Sequence, residues 1–480
     1  MRVRGAVAAL AVVALAAACG VRDESSAPDQ TAPPVTGDEG PVLPDCPVGA
    51  LDDADGVVDV ELWHGLGSES ENNLDQLAAR FNQSQDRVRV LVRNQGVSYD
   101  EVLRKFVAAI PSRQLPPLVY LEDTSLRQLV DSGVILPAEA CEKADGFASG
   151  QLPAVRNYYT ADGVYWPGYT NVSEPILYYN QNHFRQAGLD PESPPHTLEE
   201  LREAARALKA SGIRAPLSYI LNSWFVESWI NGAGGSVVNE DNGRTGLATE
   251  STFDNELTRE LYTWIEEMAA EGLLEGHSAT AGQINQYLAV AQQNSSMLIE
   301  TSTAATTIKA VLAGGSDDID LGSADPSVIA PAAGPFPGLR EPGQVRVSGG
   351  AFFLTNTPAP EVQAAAWAFM RFMWETESQV AWHLVGSYLP TTQAAVGAPE
   401  VAAYWVDDLA GRMLKVSYDQ LLTVDPARPG PQIGPYRAYS EAIKNSLDRL
   451  VLRGDSVDAV VTAADREIQR ALDRYIEDNG

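Results

Sequence analysis

The sequence predicts an α/β fold built as two domains, on three observations. Residues 57–133 alternate strand and helix patterns three times, the βαβαβα order that builds a mostly parallel sheet with helices on its faces. A second run of strand and helix patterns starts near Pro175 and continues to the C-terminus. The chain beyond Cys19 is long enough for two hydrophobic cores.

The elements follow in order. VVDVELWHG, from Val57, alternates apolar and polar residues as a half-buried strand does. SESENNLDQLAARFNQSQ predicts a helix with Leu74, Leu77, Ala78 and Phe81 on one face. RVRVLVRN is a second strand, and SYDEVLRKFVAAI a helix that Ser98 and Glu101 start as a capping box. PPLVYLED is a third strand, followed by the helix TSLRQLVDSG, which ends at Gly133. Ligands of such sheets lie beyond the carboxyl ends of the strands. Those ends carry Trp63–His64, Asn94–Gln95 and Glu122–Asp123. The second part holds a strand and short helix from Pro175, then a long helix capped by Thr197 with Glu200. ELTRELYTWIEEMAAEGLL is amphipathic, and VSGGAFFLT is a strand interrupted by two glycines. EVQAAAWAFMRFMWETESQVAWHLV predicts one long helix, stopped by Gly386, before a helical C-terminus.

The N-terminus sets the compartment. Arg2 and Arg4 precede an apolar run of small residues and then Cys19, the pattern of a secretory signal. It resembles a bacterial lipoprotein signal, cut before Cys19, which then carries lipid. The position where a lipobox usually holds Leu is Ala16 here, with Leu15 one step further out. Residues 1–18 are thus expected as signal peptide and 19–45, rich in Pro, Asp, Ser and Thr, as a flexible tether. The two remaining cysteines, Cys46 and Cys141, form an isolated pair in an exported chain and predict a disulfide.

Charge and missing motifs narrow the function. The chain carries 64 acidic against 34 basic residues, a net charge of −30, which argues against nucleic acid as a partner. The five histidines, at 64, 183, 196, 277 and 383, show no metal-ligand spacing, so no metal or cofactor is expected. GxSxG, GxxxxGK[ST] and GxGxxG are absent, and no carboxylate pair stands out as a hydrolase would need. A non-enzymatic role is therefore expected. GSYLPTT, residues 386–392, leaves Tyr388 either packing the loop onto its own domain or facing a ligand.

Several stretches together resemble one family. VELWHGLGSESENNLDQLAARFNQS, EPILYYNQNHFRQAGLDPESPPHTLEELREAARALKASGI, SGGAFFLT and AAAWAFMRFMWETESQVAWHLVGSYLPTT are similar to segments of the extracellular solute-binding proteins of ABC importers. Trp-His after the first strand, GVSYDEVL and WHLVGSYLPTT bring the glycerol-3-phosphate and glycerophosphodiester binders nearest within it. The resemblance implies the two-lobed periplasmic-binding-protein fold of class II type, with a ligand cleft between lobes joined by a hinge. It places lobe one at 46–171 plus 302–347 and lobe two at 172–301 plus 348–480. It implies a monomer at the outer face of the cytoplasmic membrane, tied by lipid on Cys19, that hands a small molecule to a permease.

The resemblance also implies site residues. Tyr99 stacks on or hydrogen-bonds the ligand, and Asp123 accepts from its hydroxyls, with Glu122 as the neighbouring alternative. Ser173, in NVSEP, contacts phosphate. Either Trp224 or Trp229 faces the cleft, with Trp224 preferred. Ser302 or Thr303 lies near a crossing, and Gly349 and Gly350 let a backbone N–H approach a phosphate oxygen. Tyr388 is an aromatic wall on lobe two. Arg428, in DPARPGPQIG, grips phosphate with its planar fork, whereas Arg437 is expected to tolerate substitution. The ligand is then a glycerophosphodiester such as glycerophosphocholine, or glycerol-3-phosphate; an oligosaccharide is the alternative on the same fold.

Overall fold

The computed structural model describes residues 41–280, 284–312 and 328–479. The expected signal peptide, Cys19 and the tether up to residue 40 lie outside the described residues. The described strands are β1 (Val58–His64), β2 (Val88–Asn94), β3 (Leu118–Glu122), β4 (Ile135–Leu136), β5 (Thr160–Ala161), β6 (Val164–Tyr165), β7 (Tyr169–Thr170), β8 (Pro175–Asn180), β9 (Leu217–Leu221), β10 (Leu274–Ser278), β11 (Met297–Thr301), β12 (Pro331–Gly334) and β13 (Gly350–Thr355).

Two larger sheets make two lobes. The first has the order β2-β1-β3-β13-β4, with β7 beside β13; the second has the order β10-β9-β11-β8-β12. β1 runs parallel to β2 and β3, as the βαβ pattern predicts. Both sheets are nevertheless mixed, because β13 is antiparallel to β3 and β8 is antiparallel to β11 and β12. Strand β13 is buried at every residue, which suits a central strand covered on both faces.

The partition of the chain between lobes differs from the expectation. Segment 302–347 was expected in lobe one, yet its strand β12 pairs with β8 in the second sheet. The stretch from 348 was expected in lobe two, yet β13 pairs with β3 in the first sheet. The reason is a hinge ladder that swaps the chain between sheets twice at one place. Ser173 N donates to Ser348 O at 2.8 Å, Ser348 N to Ser173 O at 3.1 Å and Asn171 N to Gly350 O at 2.7 Å. Leu389 N adds a rung on Val172 O at 2.8 Å.

Local signals hold, with two changes. Thr197 and Glu200 form the full capping box. Ser98 caps the helix Tyr99–Ala109, but the Glu101 carboxylate accepts from Val97 N rather than from Ser98 N. The run expected as one helix is two, Pro360–Met373 and Thr376–Gly386, separated by an extended Glu375. The Trp374 indole, which donates to Gly168 O at 2.7 Å, anchors the break to the first sheet. Cys46 and Cys141 are bonded and tie the start of the described chain to the helix Ala138–Asp145.

Candidate functional site

A cavity of about 420 Å³ opens between the lobes, a volume suited to a small molecule. Lobe one supplies Tyr99, Asp100, Glu122 and Asp123 from the ends of β3 and of the loop after β2. Lobe two supplies Trp224 and one face of the helix Tyr436–Arg453. Arg437, Ser440, Glu441 and Lys444 recur on that face at helical spacing. The hinge supplies Ser173, Arg346, Ser348 and Gly349.

The aromatic wall is built from lobe one. The Tyr99 hydroxyl donates to the Tyr120 hydroxyl at 3.2 Å and lies 3.5 Å from that of Tyr388. Tyr388 stacks on Trp382, with centroids 6.2 Å apart and planes 15° from parallel. Trp382 in turn packs edge-on against Phe352 of β13. Tyr388 therefore both packs its loop and lines the cavity, from lobe one rather than lobe two. His383 fixes the loop. Its Nε2 accepts from the Trp405 indole at 2.9 Å, so its Nδ1 carries the proton and donates to Tyr388 O at 2.8 Å. Burial pushes the His383 imidazole down to about 4, and the ring stays neutral at neutral pH.

The acids divide the work differently from the expectation. Asp123 is saturated by the protein itself. Its Oδ2 accepts from Arg346 Nη1 at 2.5 Å and from the Tyr158 hydroxyl. Its Oδ1 accepts from Ser348 Oγ at 3.1 Å and Gly349 N at 3.3 Å. Among the described residues, only Thr124 Oγ1 donates to the neighbouring Glu122 carboxyl, at 3.0 Å, so it is the freer of the two. Burial, followed by the Asp123 charge, pushes Glu122 up to about 7.

Among the remaining expected residues, Ser173 and Trp224 line the cavity, and Trp224 Nε1 is buried without a partner among the described residues. Trp229 is a core residue, its indole bonded to Pro337 O at 2.8 Å. Ser302 is buried behind the hinge, where its Oγ accepts from Glu174 N at 3.3 Å, and Thr301 and Thr303 face the cavity instead. Gly350 lies behind the wall: a Cβ there would meet the Tyr120 hydroxyl at 2.1 Å, so close packing requires glycine. Gly349 is the glycine at the cavity, with φ of 136°.

Arg428 is not in the cavity. Its turn is pinned to the end of the helix Ser223–Gly232 by Asn231 Nδ2 on Arg428 O at 2.9 Å. That geometry sends its guanidinium to Gly232 O, 3.3 Å away, and to Asp425 at 3.4 Å. Arg437, expected as the tolerant residue, lines the cavity and lies 3.9 Å from Asp100 across the cleft. The sequence carried a signal for it, the polar stripe 437, 440, 441, 444. Arg346 carried none, because only the folded hinge brings it to the floor.

The description of bacterial extracellular solute-binding proteins matches residues 76–406. The chain belongs to that family. It is accordingly the solute-binding component of an ABC importer, in a family of transport proteins rather than enzymes. The sn-glycerol-3-phosphate-binding periplasmic protein UgpB of Brucella abortus (strain 2308) is 29% identical over 348 residues, covering 69% of this chain and 74% of that one. The UgpB of Rhizobium meliloti (strain 1021) is 28% identical over 357 residues, with 71% and 77% covered. Among solved structures, UgpB from Mycobacterium tuberculosis in complex with glycerophosphocholine aligns with a TM-score of 0.67 at 20% identity, over 88% of this chain and 100% of that one. The sugar-binding protein MalE from Xanthomonas citri aligns with a TM-score of 0.71 at 18% identity, over 88% and 99%. These alignments bear out the two-lobed fold.

Proposed function

We propose that the protein captures glycerophosphodiesters, such as glycerophosphocholine, or sn-glycerol-3-phosphate, and presents them to its permease. One observation carries the reading. The cavity has two faces of opposite character: Arg437 and Lys444 on the helix Tyr436–Arg453, and Glu122 beside the aromatic Tyr99 and Tyr388 on lobe one. A phosphate ester bearing hydroxyl groups or a cationic head needs both faces. Arg437 and Lys444 would meet the phosphate, assisted by Ser173 and the Gly349 N–H. Glu122 would accept from hydroxyls, and the rings of Tyr99, Tyr388 and Trp224 would pack on the carbon skeleton or attract a choline head. The cell envelope is the working compartment, with the protein acting as a monomer held by lipid on Cys19.

A second reading, a neutral oligosaccharide, has its own support. Each cation lining the cavity already faces a carboxylate: Arg346 faces Asp123, Arg437 faces Asp100 and Lys444 faces Glu441. Neutral hydroxyls would leave those pairs intact. Calorimetric titration of the mature protein with glycerol-3-phosphate, glycerophosphocholine, maltose and trehalose separates the two. Binding of a phosphate ester with an affinity that falls with added salt supports the first reading; salt-independent binding of the sugars alone replaces it with the second.

A further inference from the structure

Beneath the cavity, five side chains form one path from lobe to lobe. Tyr158 and Asp123 belong to lobe one, Glu227 and Tyr436 to lobe two, and Arg346 to the extended hinge segment that leads into β13. The Tyr158 hydroxyl donates to Asp123, and Arg346 Nη1 donates to Tyr158 and, at 2.5 Å, to Asp123. On the other side Arg346 Nε meets Glu227 Oε2 at 3.0 Å, an ion-pair distance without the alignment of a hydrogen bond. Glu227 Oε1 accepts from the Tyr436 hydroxyl at 2.7 Å. Arg346 and Tyr436 both line the cavity.

The side chains of Arg346, Asp123 and Glu227 are 2%, 0% and 0% exposed. A buried charge cluster of this kind is weak evidence for stability, since well-packed neutral groups often serve as well. What neutral groups cannot do is tie one lobe to the other through a single planar fork. The two halves of the tie also differ. Asp123 is held by four donors, whereas the contact to Glu227 is a looser ion pair. The lobe-two half is the one free to adjust.

We propose that Arg346 is a positioning residue for ligand capture: held by Asp123 in lobe one, it sets Glu227 and thereby the Tyr436 wall of lobe two, so that the floor and that wall move together as the lobes close. The inference rests on the cavity being the ligand site proposed above. Arg346→Lys keeps the charge but cannot reach both carboxylates, because an ammonium lacks the fork. The triple change D123N/R346M/E227Q removes all three charges at similar volume and guards against a single variant that fails to fold.

The test uses the full mature chain. Calorimetry with glycerophosphocholine, glycerol-3-phosphate, maltose and trehalose identifies the bound ligand, and its affinity is then measured for each variant. Both R346K and the triple variant are expected to bind at least tenfold more weakly, with the triple variant melting near wild type. R346K and Y436F together should lose no more affinity than the worse of the two alone, since both act on one wall. Additive losses, or wild-type affinity in the folded triple variant, would overturn the proposal. Small-angle scattering without ligand gives an arm independent of ligand identity: the triple variant should show a broader distribution of dimensions than wild type, and an unchanged profile would overturn the tie. If wild type binds none of the four compounds, the substrate reading fails while scattering still decides the role of Arg346.

Discussion

The guanidinium of Arg244, carried by lobe two, donates to the carbonyl oxygen of Tyr158 in lobe one at 2.9 Å. The same group reaches Asn157 O at 3.3 Å, Thr160 O at 3.2 Å and Gly430 O at 2.6 Å. It is a cation held by backbone carbonyls, and burial brings it down to about 10. On the side of the lobe junction that carries Arg244, the lobes are thus joined by a side chain that ligand need not touch. Arg244→Ala would leave several carbonyls without a donor, at a cost of about 2–4 kcal/mol. Urea unfolding should show that loss. A variant as stable as wild type would mean that water replaces the guanidinium without penalty.

Exchanging the roles of two arginines is a direct consequence of the fold. Arg437→Ala, at the cavity, should weaken binding of a phosphate-bearing ligand by about 1–3 kcal/mol and lessen its salt dependence. Arg428→Ala, outside it, should bind as wild type does. Titration calorimetry of both variants at two salt concentrations decides the matter; the opposite pattern would return the phosphate to Arg428.

Tyr388→Ala should weaken ligand binding by about 1–3 kcal/mol, through lost ring contact. Because Tyr388 also stacks on Trp382, the ligand-free protein should lose about 1 kcal/mol of stability. Tyr388→Phe keeps the stack, so it should keep the stability and lose only the share of affinity due to the hydroxyl.

Stability should depend on pH through His383. Its folded-state value lies near 4, below the ordinary 6.5, so the unfolded chain binds more protons between those values. The contribution is fully present above about pH 6.5 and is lost as pH falls towards 4, by about 3 kcal/mol. Buried carboxyls act oppositely in an overlapping window, since burial lifts Glu174 to about 8. The measurement is therefore the difference between wild type and His383→Gln in urea unfolding at pH 7.5, 5.5 and 4.5. That difference should shrink as pH falls; a constant difference would show that the imidazole is not the titrating group.

Glu174 supplies the complementary case. It sits at the hinge with no cation beside it among the described residues, accepting from Gln420 Nε2 at 3.1 Å. A carboxyl raised to about 8 in the fold disfavours folding as pH rises from about 4.5 through 8. Glu174→Gln should raise the melting temperature at pH 8.5 and lose that advantage at pH 5. An equal effect at both values would place the cause in packing instead of charge.

Much of this protein is local and was legible in its residues. The βαβ order of lobe one and the Thr197 capping box depend on neighbours a few positions away, and Tyr99, Tyr388 and Trp224 on patterns the family repeats; the cysteine pair, 95 positions apart, was legible because the chain beyond Cys19 holds only two cysteines. What only the tertiary structure decided is where distant segments meet. The hinge ladder between Ser173 and Ser348 sends β12 to one sheet and β13 to the other, and periodicity contains no term for that exchange. Asp123 is taken up by Arg346, 223 positions away, which leaves Glu122 for the cavity. The turn at Arg428 is turned aside by Asn231, while helical spacing delivers Arg437 in its place. A charged side chain takes its partner from whatever the fold brings within about 4 Å, and that distance is set by packing, not by order along the chain.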